Sequence, residues 1–152
     1  MIDLREAEQL ILRTWWLVDA EHGQGVEQLF TEDGQLQFGA ALNRGREEIR
    51  AVYALRRARG ERTARHLVAN IRWSTNGGDV VAEYSLILFA ADGRAPVAGA
   101  GPNSVFDVRD VLTEGSGGLL FSRRTLTTVF TDPAASLAVS FTQSATNQES
   151  HT

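Results

Sequence analysis

Thr63-Ala-Arg-His-Leu-Val-Ala-Asn-Ile-Arg-Trp73 reads as one long β-strand, about residues 63–74, with a single histidine inside it. Asn76-Gly77-Gly78-Asp79 then signals a hairpin turn. Val80-Val-Ala-Glu-Tyr-Ser-Leu-Ile-Leu-Phe89 supplies the returning strand, about 79–90. A Gly/Pro-rich connection (Asp92, Gly93, Pro96, Gly99, Gly101, Pro102) leads to a third strand, about 103–113. Gly115-Ser-Gly-Gly118 turns the chain into a last long strand, Leu119 to Phe130, which Pro133 ends. Leu137 to Phe141 could add a short strand or pack on a partner, and 143–152 is a polar tail.

Upstream of this run the period changes to that of a helix. In residues 3–20, Leu4, Ile11, Trp15 and Val18 recur at helical spacing, and Leu10, Thr14 and Leu17 widen the apolar face. Asp3 suits the N-cap, with Glu6 three residues on. Asp19 follows Trp15 by four residues and Trp16 by three, so it can point inward with either ring. The alternative is a solvated carboxylate in the last turn, although a negative charge there opposes the helix dipole.

Gly23 and Gly25 break the helix, Val26 to Phe30 makes a short amphipathic turn, and Thr31-Glu-Asp-Gly34 is turn chemistry. Gln35-Leu-Gln-Phe38 alternates as a half-buried strand, and 40–43 reads as a loop. Arg44 to Arg59 is a second helix, with Ile49, Val52, Tyr53 and Leu55 on its apolar side. Its arginines at 50, 56, 57 and 59 read as a solvated face. Helices first and long antiparallel strands after predict an α+β fold. Helices packed on one face of a strongly curved sheet would leave a cavity between the layers. With no repeat and no internal linker, 1–142 reads as one domain.

Composition narrows the chemistry. The 152 residues are 43 % apolar, carry a net charge of −4 and contain no cysteine. Disulfides, thiol nucleophiles and Cys-ligated metals are excluded. All fifteen basic residues are arginine, so no lysine can form a Schiff base. Histidine occurs only at 22, 66 and 151, too few and too scattered for a multi-histidine metal site. Gly-x-Gly-x-x-Gly, Walker and Gly-x-Ser-x-Gly motifs are missing. The acidic balance argues against nucleic acid as a partner. No apolar run reaches the roughly 18 residues of a membrane span, and Asp3, Glu6 and Glu8 interrupt any signal-peptide layout. A cytoplasmic protein is the expectation.

The order of elements and several strings resemble the SnoaL-like branch of the NTF2-like superfamily. The strings are Asp19 with Val26-Glu-Gln-Leu-Phe-Thr-Glu-Asp33, Gly45-Arg-Glu-Glu-Ile49, Arg65-His-Leu-Val-Ala-Asn70 and Phe121-Ser-Arg-Arg124. The resemblance implies an NTF2-like α+β cone around a deep apolar pocket, dimeric through its sheet. It covers dehydratases, isomerases, polyketide cyclases, a dehydrochlorinase and silent members. Asp19 and His66 match the catalytic positions of scytalone dehydratase and hexachlorocyclohexane dehydrochlorinase, and Arg124 matches a pocket arginine of the latter. Three positions depart from these patterns. Thr14 stands where those enzymes have lysine or tyrosine, no second histidine occurs around Leu88 to Ala91, and Phe38 occupies the ketosteroid-isomerase base position.

A histidine oriented by a carboxylate is a compact general base that needs no cofactor. It suits proton abstraction beside a carbonyl or leaving group, with dehydration, isomerisation or cyclisation as outcomes. On this reading His66 is the base and Asp19 orients it. Period-two geometry predicts His66, Val68, Asn70 and Arg72 on one face, so Asn70 could bond a substrate oxygen. Tyr84 and Arg124 are further candidate donors. Trp15, Trp16, Phe30, Phe38, Tyr53 and Phe89 could wall a pocket for a small, largely apolar oxygenated molecule, although such aromatics are more often plain core than cavity lining. The rival readings are a ligand-binding protein without turnover, and an accessory subunit like the small subunit of ring-hydroxylating dioxygenases, which shares a similar Arg-His strand. A homodimer or higher homo-oligomer through the sheet is the expected assembly.

Overall fold

The computed structural model describes residues 1–99 and 101–134. Helix α1 (Leu4–Ala20) is followed by a 3-10 turn (Val26–Leu29), strands β1 (Phe30–Phe38) and β2 (Ala41–Arg44), and helix α2 (Gly45–Ala58). Four long strands complete the described chain: β3 (Arg62–Asn76), β4 (Asp79–Asp92), β5 (Ser104–Gly115) and β6 (Gly118–Thr131). They form one open sheet in the order β2-β1-β6-β5-β4-β3. Neighbours are antiparallel except β1 and β6, which run parallel. The expected α+β fold holds.

The helices cover one face of this sheet because each has one apolar stripe to bury. On α1 the stripe is Ala7, Ile11, Thr14, Trp15 and Val18. The Asp3 carboxylate caps that helix by accepting from the Arg5 backbone N–H. On α2 the buried positions are Ile49, Val52, Tyr53 and Arg56. The sheet answers with alternate side chains: Ala82, Tyr84, Leu86 and Leu88 from β4, and Phe106, Val108 and Leu112 from β5. Among the described residues no helix is long and apolar enough to cross a membrane.

Two short segments differ from the sequence expectation. Residues 31–34 are not a free turn but lie inside β1, where its register against β6 shifts between Phe30 and Gln35. Gly34 is needed there, since a Cβ would sit 2.9 Å from Phe30 Cβ and 3.0 Å from the Thr31 carbonyl oxygen. The expected loop at 40–43 is largely β2, a short edge strand paired with Gln35 to Phe38. The expectations for Leu137 to Phe141 and for the polar tail lie outside the described residues.

A β-bulge decides which side chains of β3 face the helices. Ala69 pairs with Ser85 and Arg72 with Glu83, so three steps along β3 oppose two along β4. Asn70, inside the bulge, has φ of 56°. The bulge shifts the inward set from His66 and Val68 to Ile71 and Trp73.

Candidate active site

Asp19 and His66 meet. The last turn of α1 crosses the start of β3, and the Asp19 carboxylate takes both hydrogen bonds that His66 offers. Oδ2 accepts the His66 backbone N–H at 2.9 Å, and Oδ1 lies 2.6 Å from Nδ1 of its ring. One carboxylate thus fixes main chain and side chain of the same residue. These bonds also answer the problem of a negative charge at a helix C-terminus. The His66 ring stacks on Trp15, with centroids 4.9 Å apart and planes within 17°. The two side chains are 5 % and 11 % exposed for His66 and Asp19.

Burial pushes the His66 pKa below its ordinary value. The hydrogen bond and charge of Asp19 oppose that shift, and the charges of Arg56 and Arg124 reinforce it. The resting ring is therefore a neutral imidazole. With Nδ1–H given to the carboxylate, the lone pair is on Nε2, the arrangement of a general base.

A second polar group lies on the other side of Trp15's contacts. Arg124 and Asp110, both fully buried, form a two-pronged pair: Nε to Oδ1 at 2.7 Å and Nη2 to Oδ2 at 2.8 Å. Tyr84 gives its proton to Asp110 Oδ2 at 2.8 Å and accepts from Trp15 Nε1 at 2.9 Å and Arg124 Nη2 at 3.3 Å. The Arg124 guanidinium lies 4.3 Å from the Trp15 ring centroid and 4.4 Å from that of Phe121. Burial alone would lower the Arg124 pKa, but Asp110 and the Tyr84 oxygen outweigh it and raise it. Burial also raises the Tyr84 pKa, so its hydroxyl stays protonated. Trp15 thereby joins the Asp19–His66 pair to the Asp110–Arg124 pair.

Of the residues singled out from sequence, Trp15, Phe30, Tyr53, Tyr84, Arg124, Asp19 and His66 all lie in the interior, and Phe38 is half-buried. Phe30 packs on Phe121 and Phe38 on Phe106. Trp16 does not belong with them. It is 59 % exposed, because the buried stripe of α1 runs through Thr14, Trp15 and Val18 and turns position 16 outward. Phe89 points outward as well. Asn70 is also misplaced by the period-two reading. The bulge removes it from the face of His66, and it lines a groove on the outer face of the sheet with Arg72, Glu83, Ser85 and Arg109. Tyr84 reaches the interior, and its one proton is given to Asp110. Thr14 gives its hydroxyl to the Leu10 carbonyl at 2.8 Å.

Two buried residues escaped the sequence reading. Asp110 interrupts the alternation Phe106, Val108, Leu112, and a carboxylate at an inward position was the available signal. Arg56, expected in solvent, is only 8 % exposed. Its position completes the spacing 49, 52, 53, 56, the inner stripe of α2. Among the described residues, no group of three or more His, Asp or Glu side chains converges as a metal site would require.

The comparisons agree with this architecture. The protein of Catenulispora acidiphila superposes with a TM-score of 0.73 at 22 % identity, covering 82 % of this chain and 90 % of that one. ActVI-ORFA of Streptomyces coelicolor gives 0.70 at 22 %, covering 82 % and 96 %. A putative scytalone dehydratase of Novosphingobium aromaticivorans gives 0.73 at 17 %, covering 87 % of each chain. At these identities the likeness concerns the fold. No curated protein matches the chain. The family model of the SnoaL-like domain matches residues 1–125, most of the 152-residue chain. With its two helices on an open, mixed six-stranded sheet, the chain belongs to the SnoaL-like family, within the NTF2-like fold.

Proposed function

We propose that this protein binds a small, largely apolar oxygenated molecule and acts on it as a cofactor-independent lyase, isomerase or cyclase. The observation that carries the reading is the double hold of Asp19 on His66, which orients a neutral, buried imidazole. His66 Nε2 takes a proton from a carbon beside a carbonyl. The imidazolium so formed is stabilised by Asp19, and the electron pair moves onto the carbonyl oxygen. Arg124 Nη1, buried and without a hydrogen-bond acceptor, is the donor for that oxygen. The proton then returns to another carbon in an isomerisation, or to a departing hydroxyl in a dehydration. Neighbours in the same fold include a putative scytalone dehydratase, whose name supports dehydration within this range of chemistry.

The test is α-proton exchange in a simple probe. 2-Tetralone in deuterated buffer is incubated with wild type and with His66→Ala, and deuterium incorporation is followed by NMR. A positioned base contributes about 10²- to 10⁴-fold, so wild type accelerates exchange and the variant loses that acceleration. Equal rates with both proteins, alongside saturable binding, would replace this reading with that of a binding protein without turnover.

A further inference from the structure

The outer face of the sheet carries an apolar belt. Leu67 pairs with Ile87, Ile87 with Val105 and Val105 with Phe130, so one cross-strand row runs over β3, β4, β5 and β6. Phe130 is 69 % exposed and Leu67 48 %, and Ile87 and Val105 are half-buried. On one side the belt ends at the polar row Ser85, Asp107 and Thr127. On the other, Phe89 leads from the belt into a groove of about 540 Å³, walled by Ala64, Phe89, Ala91, Val97 and Ala98. Contiguous exposed apolar surface of this kind marks a docking site.

The groove is built where the chain leaves β6. The Asn103 side chain accepts from the Ala90 backbone N–H and donates to the Ala90 carbonyl, each at 2.8 Å. The Asp132 N–H donates to the Asn103 carbonyl at 2.9 Å. Thr63 Oγ1 donates to the Gly93 carbonyl at 2.9 Å, which holds the connection between β4 and β5 against β3. Asp132 and Ala134 themselves line the groove. Ala134 is the last described residue, so the chain continues from the lip of the groove.

The sequence that continues has a matching pattern. Leu137, Val139 and Phe141 alternate with Ser136, Ala138 and Ser140, and from 142 to 152 the only apolar residue is Ala145. Extended chain with this alternation presents three apolar side chains on one face. Residues 137–141, fully extended, span about 14 Å, and three strand spacings, from β6 to β3, also come to about 14 Å. Ala135 and Ser136 are the whole tether, and a tether so short gives an effective concentration on the order of millimolar. In dilute solution the chain's own segment therefore outcompetes a second copy for this surface.

We propose that the groove and belt are the docking site of this chain's own C-terminal segment, residues 137–141. The segment crosses β5 and β4 toward β3, with Leu137, Val139 and Phe141 against the sheet. It braces the start of β3, the strand that carries His66, and it stands independently of the chemistry proposed for that histidine.

The chain has no cysteine, so Ser140→Cys gives a single attachment point for a nitroxide, on the side of the segment away from the sheet. In the nitrogen-15-labelled full chain, the amide signals of Leu67, Ile87 and Phe89 are expected to lose most of their intensity. Those of Leu12 and Trp16, exposed on α1, keep theirs. Adding Val139→Ser and Phe141→Ser is expected to restore the lost intensity, and these changes leave every described residue as it is. A second sample mixes nitroxide-bearing chains lacking nitrogen-15 with nitrogen-15 chains lacking the nitroxide. The expected result there is full intensity, and loss of the same signals would overturn the proposal in favour of a segment from a second copy. Full intensity at Leu67, Ile87 and Phe89 in the first sample, or a loss that survives the two serine substitutions, would equally overturn it.

Discussion

Replacing Asp19 with asparagine keeps the volume and removes the charge. In the folded chain the carboxylate accepts two bonds from His66, one from the ring and one from the backbone. With the ring held in its wild-type tautomer, an amide, which has one acceptor oxygen, leaves one of those two N–H groups without a partner. An unpaired buried donor costs about 1–3 kcal/mol, and exchanging a charged acceptor for a neutral one removes about 1 kcal/mol more. A loss of about 2–4 kcal/mol corresponds, for a domain of this size, to a drop in Tm of about 4–16 °C. The second readout is the His66 pKa, followed by NMR across a pH titration. Wild type titrates below the ordinary histidine value, and Asp19→Asn lower still, because the carboxylate was opposing the burial effect. The pH dependence of stability follows from the same shift. Between the folded pKa and about 6.5 the unfolded chain binds more protons, so this contribution is complete above about 6.5 and is lost as pH falls through the folded value. His66→Gln removes that part of the acid sensitivity. A His66 pKa that is unchanged or raised in Asp19→Asn would refute the coupling. An acid profile identical in wild type and His66→Gln would refute the depressed histidine.

The Asp110–Arg124 pair and the β3 bulge give two further expectations. Asp110→Asn leaves the buried Arg124 charge uncompensated, and urea denaturation should show a loss of about 3–5 kcal/mol. Arg124→Lys, with Asp110 retained, should also lose stability, since an ammonium cannot reproduce the two-pronged bond. At Asn70, in the left-handed region, alanine should cost about 1–2 kcal/mol and glycine should not. Neither change at Asn70 should move the His66 resonance, and a shift there would return Asn70 to the site.

Local chemistry made most of the fold readable. The two helices, the four long strands and the hairpin turns follow from apolar period, caps and Gly/Asn turn residues, which act over a few neighbouring positions. The family strings placed Asp19 and His66, and nothing in the chain between them states that they touch. Contact depends on where α1 crosses β3, which is set by packing of the whole layer. Trp15 and Trp16 are equivalent to a sequence reader, and only the registry of α1 against the sheet buries one and exposes the other. Arg56 and Asp110 are ordinary charged residues by type. Their burial is a property of the inner faces of α2 and β5 once these are stacked together. The bulge at Asn70 is the clearest case of tertiary control. Each residue from 66 to 72 is compatible with an uninterrupted strand, and pairing with β4 inserts the extra step that turns Asn70 and Arg72 away from the histidine. The sequence by itself determined the layers and the two residues of the dyad. The tertiary structure decided which further charges join them, because burial and registry are long-range quantities that no local pattern carries.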